Sequence, residues 1–298
     1  MTRRYLIANP AAGRGRGARL IGPVRERLAA CGPCEAALST RSGHERELAR
    51  AAAASGVEEI VALGGDGTWS NVARGILDVG ADCRLALIAG GTGNDFAFAA
   101  GLPTRDVAAM VEIAIGPTER RIDVGLAGDV AFLNIASFGF APHVLAASQR
   151  VSWLRGHAVY LVTAARRIAS YPGLVASAAI DGETPTCQSR ILAIVVSNGP
   201  RFGGGFLVSP GASISDGVLE VVTVRDASAL RRARLLAAVT RGSHGHLEEV
   251  AIRKSLRARL DFDAPPLFDA DGDLFQADSR TIEVRVLPSR LRLAAGIR

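Results

Sequence analysis

Gly64-Gly65-Asp66-Gly67-Thr68 stands between a run that reads as a buried strand, Glu59 to Leu63, and a run that reads as a helix from about Trp69 to Val79. Glycines at such a turn let the backbone approach a phosphate closely, and the N–H groups of the turn and the helix N-terminus bind the anion. Thr68 can offer a hydroxyl to a phosphate oxygen, and Asp66 can organise the loop or act through a metal. A tight strand-to-helix turn without a ligand explains the same residues. The pattern is repeated, however. Gly90-Gly91-Thr92-Gly93-Asn94-Asp95 follows the next strand, with Asn94 and Asp95 as expected caps of a helix, and Asn9-Pro10-Ala11-Ala12-Gly13 follows the first strand. Three such loops aimed at one edge of a sheet build a nucleotide site better than three unrelated turns would.

The elements that must position these loops alternate. Strands are expected at Tyr5 to Asn9, Glu35 to Leu38, Glu59 to Leu63 and Arg84 to Ala89, with helices from about Ala18 to Ala30, through Ala54, and from about Trp69 to Val79. That order predicts a parallel sheet covered on both faces, with ligand loops at the carboxyl ends of its strands. After about Arg121 short β-like runs take over: Val130 to Ser137, Leu174 to Ile180, Arg190 to Ser197, Val218 to Val224 and Thr281 to Val286. They suggest an antiparallel sandwich, with helical inserts around His143 to Ser170 and Ala227 to Gly242. The expected fold class is α/β plus β: a Rossmann-like parallel nucleotide-binding domain over 1–121, a β-sandwich substrate domain over 122–287, and a return of about 288–298 to the first domain left open.

Hydrophobic residues make 48% and charged residues 21% of the 298, a folded globular composition. The net charge of +6 favours an anionic partner, and among the 35 basic residues only Lys254 is lysine. The polar start excludes a signal peptide and no run approaches a membrane span, so a soluble cytoplasmic protein meeting membranes peripherally is expected. Cys31-Gly32-Pro33-Cys34 lies after a helix and before a strand, the reverse of a thioredoxin-type site, and reads as a turn.

The ordered motifs resemble the diacylglycerol kinase catalytic-domain family, which includes bacterial lipid kinases and sphingosine and ceramide kinases. The resemblance is carried by the three loops and continues through Ser197-Asn198-Gly199-Pro200, Gly203-Gly204-Gly205-Phe206, Pro210 and Ala212, Ser215-Asp216-Gly217 and Asp271-Gly272-Asp273. It implies an ATP-dependent kinase of a lipid hydroxyl, on diacylglycerol, phosphatidylglycerol, ceramide or a sphingoid base, working in phospholipid or sphingolipid metabolism. It further implies that nucleotide lies against Asn9, Thr40, Gly64, Gly65, Asp66, Gly67, Thr68, Ser70 and Thr92, between the two domains. Asp271 matches a general base accepting the lipid hydroxyl proton. Asp273 stands where glutamate is usual, which leaves its role less defined. Asp216 matches the side-chain ligand of a magnesium site completed by carbonyls near Ser213 and Val218.

Plainer readings stand beside these. Asp216-Gly217 and Asp271-Gly272 are also good turns between strands. Phe138, Phe140 and Trp153 line either a lipid-tail cleft or a sandwich core. His143, His157, His244 and His246 have no metal spacing and read as surface or core residues. Arg150, Arg155, Arg166 and Arg167, and the helix bearing Arg231, Arg232, Arg234 and Arg241, face anionic headgroups or simply water. Nucleic acid is not expected as a partner, and a homodimer is left open. The rival functions are an NAD-kinase-like enzyme and a catalytically silent nucleotide-binding membrane sensor.

Overall fold

A computed structural model describes residues 2–148 and 157–296. Its contacts divide the chain into two units, one of residues up to Ile122 together with those from Ser289 onward, the other Asp123–Pro288.

In the first unit, β1 (Arg4–Ala8), α1 (Arg16–Ala30), β2 (Cys34–Leu38), α2 (His44–Ala54), β3 (Glu59–Gly64), α3 (Asp66–Asp78), β4 (Arg84–Ala89), α4 (Asp95–Ala99) and α5 (Val107–Ile115) alternate as expected. β1 pairs in parallel with both β2 and β3, and β3 with β4. Every residue of β3 and β4 is buried, which is why each reads as an apolar run after its charged first residue. Helix α2 buries Ala49, Ala52 and Ala53, and α3 buries Trp69, Val72 and Ile76, the helical spacing of one apolar face. Cys31 caps the end of α1 and Cys34 opens β2, so the Cys-Gly-Pro-Cys run is a connecting turn.

At the amino ends of the strands, Arg4, Glu59 and Arg84 lie in register across β1, β3 and β4. Glu59 accepts Arg4 Nε at 2.5 Å and also pairs with Arg84 Nη1, and all three side chains are buried. Arg84 also donates to the carbonyls of Ala114, Gly116 and Thr118.

The second unit begins within β5 (Glu119–Ala127) and continues through β6 (Val130–Phe132), β7 (Ile135–Gly139), α6 (Phe140–Ser148), α7 (His157–Arg167), β8 (Leu174–Ile180) and β9 (Ser189–Ser197). It is completed by β10 (Arg201–Phe202), β11 (Phe206–Leu207), β12 (Leu219–Arg225), α8 (Ala229–Val239), β13 (Val250–Ser255), β14 (Arg257–Phe262), β15 (Leu267–Ala270), β16 (Asp273–Gln276) and β17 (Thr281–Ala294), whose last residues belong to the first unit. Its pairings are antiparallel. β9 meets β8 through Ser189–Ile191 and then β7 through Ala193–Ser197, with β12 also paired to it. Phe138, Phe262, Phe268 and Leu260 fill the core between the strands.

The single strand expected over Val130 to Ser137 is two strands, broken at Leu133 and Asn134, whose N–H groups leave the ladder to bind the Asp271 carboxylate. Phe138 belongs to the core, stacked at 5.4 Å on Phe268. Trp153, Arg150 and Arg155 lie outside the described residues, as does the His157 side chain.

Removing the Glu59 carboxylate leaves the buried Arg4 guanidinium without its ion pair and leaves Arg84 paired with Glu119 at 3.5 Å. Glu59→Ala is expected to cost about 3–5 kcal/mol, read as a lowered midpoint in urea denaturation.

Candidate functional site

The first unit brings the three glycine loops together at the carboxyl ends of β1, β3 and β4. Gly90 N and Gly91 N both donate to Gly64 O, at 2.7 and 3.0 Å. The approach is a backbone one. A Cβ on Gly91 would lie 2.5 Å from Gly65 Cα, and one on Gly13 would lie 2.2 Å from Gly90 O, so a side chain at either position displaces the neighbouring loop. Asp66 Oδ1 accepts Phe96 N at 2.9 Å, joining the second loop to the third. This is the organising role open to Asp66 in the sequence.

Asn9 Nδ2 donates to Thr68 Oγ1 at 3.0 Å and to Glu45 Oε1 at 2.9 Å, which ties the first loop to the start of α3. Thr68 is therefore buried as a loop staple. Ser70 is buried beside it, and Thr92 is exposed. Thr40 lies beyond β2, with His44 Nδ1 accepting its N–H at 3.2 Å. The capping expectation is corrected in part. Asn94 occupies the N-cap of α4 in a left-handed conformation, φ +56°, but its side chain makes no cap and donates to Gly91 O at 3.2 Å. Asp95 is buried in the first turn of that helix.

In the second unit, Asp271 and Gly272 are the two residues between β15 and β16, and both have positive φ, +52° and +89°. This is the backbone of a primed hairpin turn, for which Asp-Gly is favoured. The turn reading is met, and the turn sets the Asp271 carboxylate against the join of β6 and β7. Asp271 Oδ1 accepts Asn134 N and Ile135 N, and Oδ2 accepts Leu133 N, at 2.7–3.0 Å. Three backbone donors thus fix the carboxylate. Asp273 follows as the first residue of β16, opposite Ala270.

Sequence reasoning passed over Asp269, the residue beneath this turn. It is completely buried, its Oδ1 accepts Gly272 N at 3.1 Å, and its Oδ2 accepts the Ser137 hydroxyl. Burial pushes its carboxyl up to about 7, the two hydrogen bonds opposing that rise and the Asp271 and Asp273 charges adding to it. Its signal in the sequence was an acidic residue between two apolar ones, Phe268 and Ala270, both of which are buried.

Asp216 is paired with a lysine. Its Oδ2 faces Lys254 Nζ at 3.3 Å, and its Oδ1 accepts Val218 N at 3.4 Å. Lys254 reaches this point from β13, directly across from Glu220, whose carboxyl is raised chiefly by burial and lowered by the Lys254 charge. Among the described residues no group of three or more His, Cys, Asp or Glu side chains could hold a metal ion. Two further carboxylates stand near Asp216: Asp123 Oδ2 accepts Gly217 N at 2.7 Å, and Glu220 feels the charges of both Asp216 and Lys254. Lys254 would compete with a cation for the Asp216 carboxylate.

The arginine helix α8 is also largely committed. Arg232 is buried against Asp226 and the carbonyls of Ile168 and Tyr171, and Arg231 pairs with Glu249 at 2.8 Å. His244 is buried, with its Nε2 2.8 Å from Val208 O, and the His143 ring lies against Tyr171. A cavity of about 110 Å³ opens among Phe140, Tyr160, Ala164, Leu192, Phe206 and Leu235, so Phe140 lines it where Phe138 does not.

A parallel α/β unit carrying three phosphate-type loops, followed by an antiparallel unit presenting an Asp-Gly hairpin, is the construction of a two-domain kinase. Residues 3–127 match the diacylglycerol kinase catalytic domain, and residues 134–295 match the YegS C-terminal NAD kinase beta sandwich-like domain. The chain belongs to the diacylglycerol kinase catalytic-domain family, in its YegS-like form, and is an enzyme of the lipid kinase class. It is 34% identical over 260 residues to the "Probable lipid kinase YegS-like" of Pseudomonas putida, covering 86% of this chain and 83% of that one. It is 28% identical over 293 residues to a diacylglycerol kinase of Mycobacterium tuberculosis, covering 96% and 93%. Among solved structures, a diacylglycerol kinase of Bacillus anthracis superposes with a TM-score of 0.76 at 20% identity, over 99% of this chain and 97% of that one. An NAD kinase of Archaeoglobus fulgidus in complex with ATP gives 0.54 at 13% identity, over 98% and 93%. These two show the fold.

Two measurements follow from the second unit. The raised carboxyl of Asp269 means that, between the ordinary carboxylate range and about pH 7, the folded state holds a proton that the unfolded chain has released. Its contribution is therefore full below that range and lost as pH rises to about 7, at about 1.4 kcal/mol per pH unit. Asp269→Asn is expected to gain stability relative to the parent across that interval, with a constant difference above it, read by urea denaturation at stepped pH. Lys254→Gln is expected to make the melting temperature of the nucleotide-free protein rise more with added magnesium than it does in the parent, by thermal shift.

Proposed function

We propose that this chain transfers the γ-phosphate of ATP to a hydroxyl of a membrane lipid, with a diacylglycerol as the leading acceptor and a sphingoid lipid, ceramide or phosphatidylglycerol as the other candidates. The observation that carries the proposal is the convergence of three glycine-rich loops, in which Gly65 and Gly91 meet through their backbones at the carboxyl ends of β3 and β4. Such a surface presents N–H groups and the amino end of α3 to polyanionic phosphates and leaves them room. The nucleotide is expected against Asn9, Thr40, Gly64 to Ser70, and Thr92 to Asp95. Magnesium, carried in with ATP, would supply positive charge to the phosphate oxygens.

Asp271 supplies the general base in this reading. Phosphoryl transfer asks for a carboxylate held in a fixed direction as the hydroxyl loses its proton, and three backbone donors hold this one. The apolar cavity behind Phe140 offers a place for a hydrocarbon chain. Among the described residues no helix is long and apolar enough to cross a membrane, so the lipid would be met at the bilayer surface by a peripheral cytoplasmic enzyme. The NAD-kinase alternative draws on the fold likeness, and the silent-sensor alternative on the loops without Asp271.

The test is transfer of labelled phosphate from magnesium ATP to lipids in mixed micelles, with NAD as the soluble control. A labelled lipid is expected. Label on NAD alone overturns the lipid reading, and ATP binding without transfer favours the silent sensor. Asp271→Asn is expected to lower kcat by at least about 100-fold while leaving ATP affinity in place, measured by equilibrium dialysis.

A further inference from the structure

We propose that Asp269 is a positioning residue for Asp271, clamping the Asp271-Gly272 turn onto β7 and so fixing the direction in which the Asp271 carboxylate faces. This rests on the general-base reading of Asp271.

Asp269 and Ser137 are directly opposed across β15 and β7, and the Ser137 hydroxyl closes that pairing with a hydrogen bond to Oδ2. The other oxygen reaches forward three residues to the N–H of Gly272. One buried carboxylate therefore holds both the neighbouring strand and the second residue of the turn. The turn needs such a hold. Asp271 is a non-glycine residue at φ +52°, a conformation that is uncommon and is kept only where surrounding contacts determine it. Asp271 N donates to Ile135 O at 3.0 Å, while its carboxylate takes the N–H groups of Leu133, Asn134 and Ile135. A turn that rotated about β15 would carry that carboxylate out of register with all three donors at once. Burial of a carboxylate is costly unless its hydrogen bonds are made, and here both bonds go to the pieces that set Asp271. Both hydrogen bonds of Asp269 go to the turn and to β7, and its charge also reaches Tyr160 of the cavity lining.

The experiment measures kcat, the two KM values and the folded fraction for the full chain, with labelled ATP and dioleoylglycerol micelles. The variants are Asp269→Ala, Asp269→Asn and Ser137→Ala, with Asp271→Asn as reference. Asp269→Ala is expected to lose about 100-fold in kcat, the cost of an ångström-scale misplacement, with KM for ATP and for lipid unchanged. Asp269→Asn offers an amide oxygen to Gly272 N and an NH₂ to the Ser137 hydroxyl, and is expected to recover most of kcat. Ser137→Ala should fall between them. A loss in Asp269→Ala that only tracks its folded fraction overturns the inference, and so does an Asn variant as slow as the Ala one. If Asp269→Ala does not fold, Ser137→Ala decides, and a parental kcat there is fatal to the proposal. Transfer retained by Asp271→Asn would end the general-base reading itself, whereas a dead Asp271→Asn beside a fully active Asp269→Ala would end only this inference.

Discussion

The loops of the first unit are held together by backbone in contact with backbone. Gly65 and Gly91 approach so closely that a single methyl group on Gly91 would stand 2.5 Å from the opposite Cα. That contact requires β3 and β4 to be adjacent and parallel, because only then do their carboxyl ends deliver two loops side by side. It requires the sheet to be buried on both faces, hence the helices, and it leaves the polar work to the few side chains that tie loop to loop: Asn9 to Thr68, and Asp66 to the N–H of Phe96.

In the second unit the corresponding constraint is the carboxylate of Asp271. Its three backbone donors lie at the join between β6 and β7, and they are available because the ladder is interrupted there. The interruption, the primed turn and the buried Asp269 make one arrangement. Each part without the others would leave an unpaired N–H, a strained residue or a buried charge.

The fold class was legible because the parallel sheet writes itself as continuous apolar runs closed by glycine. Strands β1 to β4 and their helices sit within a few residues of the expected places. β13 and β14 were not legible. Val250–Ser255 runs from Val-Ala-Ile straight into Arg-Lys-Ser, and Arg257–Phe262 alternates apolar residues with arginine and aspartate, so the inward face is diluted by long charged chains. β15 and β16 are four residues each, too short to show a period. Of the site, the glycine loops were legible because their requirement is local. Asp269 was not, since its meaning depends on a strand register that joins it to Ser137, 132 positions earlier. The Lys254 ion pair escaped notice for the same reason: its partner Asp216 sits in the turn before β12, 38 positions earlier.

The meeting of Gly65 and Gly91 also restricts how this surface can change over generations. A larger residue at one position is not made acceptable by a smaller one at the other, because the other is already glycine and has nothing left to give up. Compensation in pairs, the usual route by which contacting positions drift together, is closed here. Diversity in this family of sites must enter through the exposed members of the same loops, such as Thr92, or through the second unit, while the two glycines stay as they are.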